Sequence, residues 1–185
     1  MGAFKSVIRS IAKIYKRTRN NTKKWIKSFS RTVVLSLGEN CLADNILVRN
    51  GLKSFSSPYA SGRSNIEYIL SFENEQFADF LNPEYLVKEN FDANTIVVRN
   101  KKYLDLSNKY HNTVINGFEF THHDVLDNQT VRETLQRRCE RMLNLKGKRI
   151  VFLYHHRLCN TTDHRLLINH LNLLAEIYYE TFYTV

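Results

Sequence analysis

Thr32-Val33-Val34-Leu35-Ser36-Leu37-Gly38-Glu39-Asn40-Cys41 is the stretch on which the fold turns. Val33, Val34, Leu35 and Leu37 make it a short, almost continuous apolar run, which reads as a buried strand. Gly38 interrupts the run, and Cys41 to Asn50 then reads as a helix stopped by Gly51. A strand that feeds a helix through a glycine turn is the opening move of an α/β unit.

The rest of the chain continues the alternation. Lys53 to Ser57 is a short strand candidate closed by Pro58, and a helix starts over Asn65 to Leu70, with more helical character around Glu75 to Leu81 before Pro83. Strands are expected at Thr95 to Arg99, Gly117 to Thr121 and Arg149 to Tyr154. Helices are expected over Val131 to Leu145, with Leu135, Met142 and Leu143 inward, and over Asp163 to Tyr179 behind a Thr162 or Asp163 cap. This order predicts the α/β class: a layered, largely parallel sheet with flanking helices, preceded by a basic amphipathic helix. The sequence ends on Phe182-Tyr183-Thr184-Val185, which reads like the start of a further strand, so a short member of a longer family and a truncated product are both open.

Charge divides the chain in two. Of 27 Lys and Arg residues, ten fall within residues 1–32, which hold no acid, leaving 17 basic against 18 acidic residues in the remainder. The net charge of +9 therefore belongs to the tail, and nucleic acid is not the expected partner of the body. In the tail Phe4, Val7, Ile8, Ile11, Ile14 and Tyr15 recur at helical spacing opposite Lys and Arg, and Trp25, Ile26 and Phe29 form a second stripe. Residues 1–31 thus form a basic amphipathic segment suited to lie on an anionic membrane surface, ahead of an α/β domain over 32–185. A solvated arm, a helix docked on a partner or an RNA-binding tail are the alternatives. No apolar run approaches the roughly 20 residues that cross a bilayer, and the start lacks a secretory signal, so the expected location is cytoplasmic, peripheral at the membrane. Cys41, Cys139 and Cys159 are three, with no CxxC spacing, which argues against a disulfide framework or a thiolate zinc site.

Polar clusters follow the strands: Gly38-Glu39-Asn40-Cys41, then Arg63-Ser64-Asn65, then His122-His123-Asp124, then His155-His156-Arg157. In a parallel sheet they could converge beyond the strand ends, where α/β ligand crevices form. Cys41 is the candidate nucleophile, because unpaired amides at a helix start favour a thiolate, and His122 or His123 is the candidate proton carrier. On an extended strand Asp124 would share a face with His122 and could orient an imidazole, while Asn40 could help hold an oxyanion. Arg63, Ser64, Asn65, His155, His156 and Arg157 are candidate substrate-binding residues. Arg137, Arg138 and Arg141 share a helix and could receive an anion. Neither GxxxxGK[ST] nor GxGxxG occurs, so no cofactor is expected, and no metal centre is assigned.

Ser36-Leu37-Gly38-Glu39-Asn40-Cys41, Arg49-Asn50-Gly51-Leu52-Lys53, Ser57-Pro58-Tyr59, Phe120-Thr121-His122 and Arg137-Arg138-Cys139-Glu140-Arg141, taken in that order, resemble a bacterial family labelled papain-like cysteine peptidases. The resemblance covers roughly residues 32 to 175. It implies Cys41 as nucleophile and His122 as base, and a papain-like α+β fold as the alternative architecture. The expected function is a thiol-dependent hydrolase or acyl/peptidyl transferase acting on a peptide, acyl or glycan substrate. The rival readings are a transferase-like enzyme of surface-polysaccharide assembly that binds phosphate or a nucleotide-sugar, and a non-catalytic membrane-associated binding domain.

Overall fold

The computed structural model describes residues 32–60, 62–93, 95–102, 117–156 and 163–179. The expected basic helix over 1–31, Arg157 and Cys159 lie outside the described residues. Contacts divide the chain after Thr32, and the unit described here begins at Val33. Its strands are β1 (Val33–Gly38), β2 (Leu86–Asn90), β3 (Ile96–Asn100), β4 (Phe118–Phe120) and β5 (Ile150–His155). Its helices are α1 (Leu42–Arg49), α2 (Ile66–Asn74), α3 (Gln129–Leu143) and α4 (His164–Tyr179).

The mixed α/β class read from the sequence holds, but the sheet is not largely parallel as expected: among the described residues β1 and β5 are the parallel pair. β1 runs parallel to β5, in register from Val33 opposite Ile150 to Gly38 opposite His155, and α1 lies against both strands. β2, β3 and β4 form a second sheet that is antiparallel throughout. The reason is the connection: β2 and β3 are joined by a tight loop in which Phe91 N–H donates to Thr95 O at 2.8 Å, and so short a link joins only antiparallel neighbours.

Three segments depart from the pattern. Strand β2 carries Lys88 and Glu89 and exposes Val87, so it lacks the apolar signal of the other strands. Lys53 to Ser57 forms no strand. Ser54 instead meets β1 at one point, its N–H donating to Val34 O at 3.0 Å and its Oγ accepting from Val34 N–H at 2.9 Å. The helical character expected over Glu75 to Leu81 is cut short because Gln76 and Phe77 adopt positive φ of 53° and 61°. Phe77 N–H then donates to Phe72 O and Gln76 N–H to Glu73 O, the two bonds of a Schellman stop made without glycine.

The core is built around α2, which buries Ile66, Tyr68, Ile69, Leu70 and Phe72 together with two acids, Glu67 and Glu73. Phe72, Phe80, Phe118 and Phe120 stack edge to face or tilted, with centroids 4.9 Å apart for Phe72–Phe80, 5.0 Å for Phe80–Phe118 and 4.8 Å for Phe118–Phe120. Asn65 and Asn128 cap α2 and α3, each accepting from the third backbone N–H of its helix. Asp163 does the same for α4, accepting from Leu166 N–H at 3.0 Å.

Glu73 accepts from Tyr59 Oη at 3.2 Å, beside Tyr178, and burial pushes its carboxyl up to about 7. The native protein therefore holds a proton there that the unfolded chain releases near 4.5. Between those values the native state binds more protons, so stability must fall as pH rises and level off above 7. The proton held over that interval corresponds to about 3 kcal/mol. Glu73→Gln keeps an acceptor and removes the charge. Urea unfolding at pH 5 and pH 8 is expected to show the variant gaining on the wild type as pH rises, by roughly 2–3 kcal/mol.

Candidate active site

The site begins where the parallel pair ends. Gly38 adopts φ of +122°, and a Cβ there would come within 2.5 Å of His155 O, so the chain can leave β1 against its neighbour only with glycine at this position. Glu39 N–H donates to His155 O at 3.4 Å, which carries the pairing one residue past the strand. Glu39 and His156 are then side by side at the carboxyl ends of adjacent strands. His156 Nδ1 lies 2.7 Å from Glu39 Oε1, with both side chains nearly buried. A carboxylate can only accept, so Nδ1 carries the proton and the lone pair of the neutral ring sits on Nε2. Tyr154 stacks on the His156 ring at 6.5 Å and 18°.

Two residues beyond Glu39, Cys41 occupies the cap position of α1 with its thiol exposed. Its carbonyl accepts from Asn45 N–H at 2.9 Å, the first turn of the helix. The cysteine side chain makes no cap bond, and Asn40 takes that task by accepting from Leu42 N–H at 2.9 Å through Oδ1. The amide nitrogen of Asn40 is the end left to act as a donor. Below this turn Asp44 accepts from Ser36 Oγ and Lys53 Nζ, each at 2.8 Å, pinning α1 to β1.

The His122-His123-Asp124 cluster follows β4 of the antiparallel sheet. Among the described residues no hydrogen bond joins His122 to Cys41 or to Asp124. Asp124 does not orient an imidazole. It accepts from Leu126 and Asp127 N–H and pairs with Lys88 at 3.0 Å, and the Asp127 amide above all holds its carboxyl below the usual range. His123 is half-buried, and burial first, then Arg138 and His122, disfavour its protonated form.

The substrate-binding candidates divide in the same way. His156 belongs to the Cys41 turn. His155 contributes mainly its backbone, opposite Gly38, while its Nδ1 is buried without a partner. Arg63 is committed to Glu119, at 3.7 Å, and bridges it through the backbone. Ser64 and Asn65 are fully buried, Ser64 Oγ donating to Asn65 O and Asn65 capping α2, so they serve the fold rather than a ligand. Cys139 is buried, and desolvation with the nearby Glu73 pushes its thiol far up, which removes it as a nucleophile. Among the described residues no group of three or more His, Cys, Asp and Glu could hold a metal ion, and no helix is long and apolar enough to cross a membrane.

Glu39 is the residue that sequence reasoning passed over. It stands inside the Gly38-Glu39-Asn40-Cys41 cluster, but its partner is 117 positions away, and only the adjacency of β1 and β5 brings them together.

Over residues 32–180 the chain matches, and belongs to, the family described as "Putative papain-like cysteine peptidase (DUF1796)". No curated protein and no solved structure matches it.

Gly38→Ala tests the strand-end geometry. The added methyl meets backbone rather than a yielding side chain, so thermal or urea unfolding is expected to show a loss of about 3 kcal/mol or more. Gly51→Ala, where a Cβ would meet nothing within 4 Å, is expected to lose less, through its positive φ alone.

Proposed function

We propose, on the premise of that family membership, that the protein is a thiol-dependent hydrolase or acyl/peptidyl transferase in which Cys41 is the nucleophile, His156 its base and Glu39 the residue that orients the base. The observation that carries this reading is the 2.7 Å contact between Glu39 Oε1 and His156 Nδ1 at the strand end that leads into Cys41. A nucleophile, an imidazole and a third group that fixes the imidazole are the parts a covalent mechanism needs, and here one pair of parallel strands supplies all three.

The chemistry follows from the positions. His156 Nε2 takes the Cys41 proton, and the thiolate attacks the carbonyl carbon of the substrate. The Glu39 carboxylate stabilises the imidazolium that forms, without itself accepting the proton. Backbone N–H groups at the start of α1, with the Asn40 amide nitrogen, face the place where negative charge develops on the carbonyl oxygen. His156 then returns its proton to the leaving group, and water or an acceptor amine releases the acyl group from sulfur. In this reading His156, set beside Glu39 two residues before Cys41, takes the role of base in place of His122.

Alkylation by iodoacetamide at pH 6, followed by peptide mapping of Cys41, distinguishes the two imidazoles. His156→Ala is expected to slow Cys41 alkylation at least tenfold and Glu39→Gln to slow it by a smaller factor, while His122→Ala leaves it within about twofold. A loss confined to His122→Ala would transfer the role of base to that residue.

A further inference from the structure

Arg138 projects from α3 half-buried, and no described residue makes a hydrogen bond or ion pair with its guanidinium. Its Nη1 is shut off from solvent without a partner. Asp44 attracts it at longer range, but that carboxylate is already held by Ser36 and Lys53. Arg141, the neighbouring cation, lies over the Phe55 ring at 4.9 Å and adds only repulsion. A guanidinium half withdrawn from water with no counterion is a standing cost to the fold, which an anion would offset.

His123 shares the position. Its Nε2 is also buried without a partner, and with Arg138 it lines a cavity of about 100 Å³ whose other walls are Thr130, Val131, Thr134 and Leu135. His123 also borders a second cavity of about 310 Å³, walled in part by Lys88, His122 and Asp124. We infer that Arg138 and His123 form a binding subsite for an organic carboxylate carried on a short apolar stem.

Charge and surface select that class. Lys88 in the larger cavity is neutralised by Asp124 and Asp127, and Arg138 is the cation that lines the smaller one, which suits a single negative charge. The aliphatic side chains of Val131 and Leu135 suit the methylene groups next to a carboxylate and offer nothing to further phosphate oxygens. The subsite stands independently of the chemistry proposed for Cys41.

The test is an NMR titration of the full chain with sodium propionate at constant ionic strength, and separately with inorganic phosphate. It follows the Arg138 Nε–H signal and the Val131 and Leu135 methyl groups. Saturable shifts at all three are expected, with apparent affinity falling roughly tenfold in Arg138→Met. Affinity should fall in the same direction in His123→Gln, which also serves if Arg138→Met does not fold, and should hold in Arg141→Met. Shifts that do not saturate, affinity kept in both the Arg138 and His123 variants, or phosphate binding at lower concentration than propionate would overturn the assignment.

Discussion

Everything at the candidate site depends on the last rung of the β1–β5 ladder, where Gly38 lies opposite His155 with no room for a Cβ between them. That close approach lets β1 end level with β5, and level ends bring Glu39 and His156 within hydrogen-bonding distance. Parallel strands point their carboxyl ends the same way, and the helix that follows β1 starts from that edge with its unpaired amides outward. The order of glycine, acid, amide and thiol is thus a spatial order as well: turn, orienting carboxylate, helix cap, nucleophile.

Buried polar groups around this edge are accommodated in two ways, by a partner or by giving up their charge. Glu119, 1% exposed, meets Arg99 at 2.6 Å and Thr121 Oγ1 at 3.0 Å, with Arg63 further off, so the antiparallel sheet carries a paired acid on β4. Glu73 takes the other course: burial disfavours its carboxylate, and Tyr178, Tyr59 and Lys146 offset that only in part. Ser57 Oγ donates to Ser36 O at 3.0 Å, and Ser36 Oγ donates to Asp44, so β1 is tied both to the loop behind it and to α1. Arg138 and His123 are accommodated in neither way: each keeps a buried nitrogen without a partner, which is why they draw notice as ligand groups.

Much of the fold was legible because its decisive signals are local. The apolar run of β1, the strand at Ile150–His155, the cap of α4 and the amphipathic period of α3 are each written within a few residues. What was not legible depended on partners distant in sequence. Lys88 and Glu89 look like loop residues until β3 pairs beside them, and the left-handed turn at Gln76 and Phe77 carries no glycine to announce it. At the site, Cys41 was visible from its strand-to-helix setting. The contact between His156 and Glu39 was not, because His122 and His156 both follow strands, and only the pairing of β1 with β5 sets one of them beside Glu39. Asn65 and Asp124 show the converse: polar residues near a strand end that proved to be a helix cap and a loop clasp.

The central claim is that Glu39 fixes the His156 ring so that Nε2 faces the chemistry as a base. Nitrogen-15 NMR of the histidine ring in a Cys41→Ala variant at pH 8, where no thiolate complicates the signal, reads this most directly. The account predicts a single tautomer for His156 with the proton on Nδ1, lost to averaging in the Cys41→Ala, Glu39→Gln double variant. A proton on Nε2, or a tautomer unchanged when Glu39 is replaced, would contradict it.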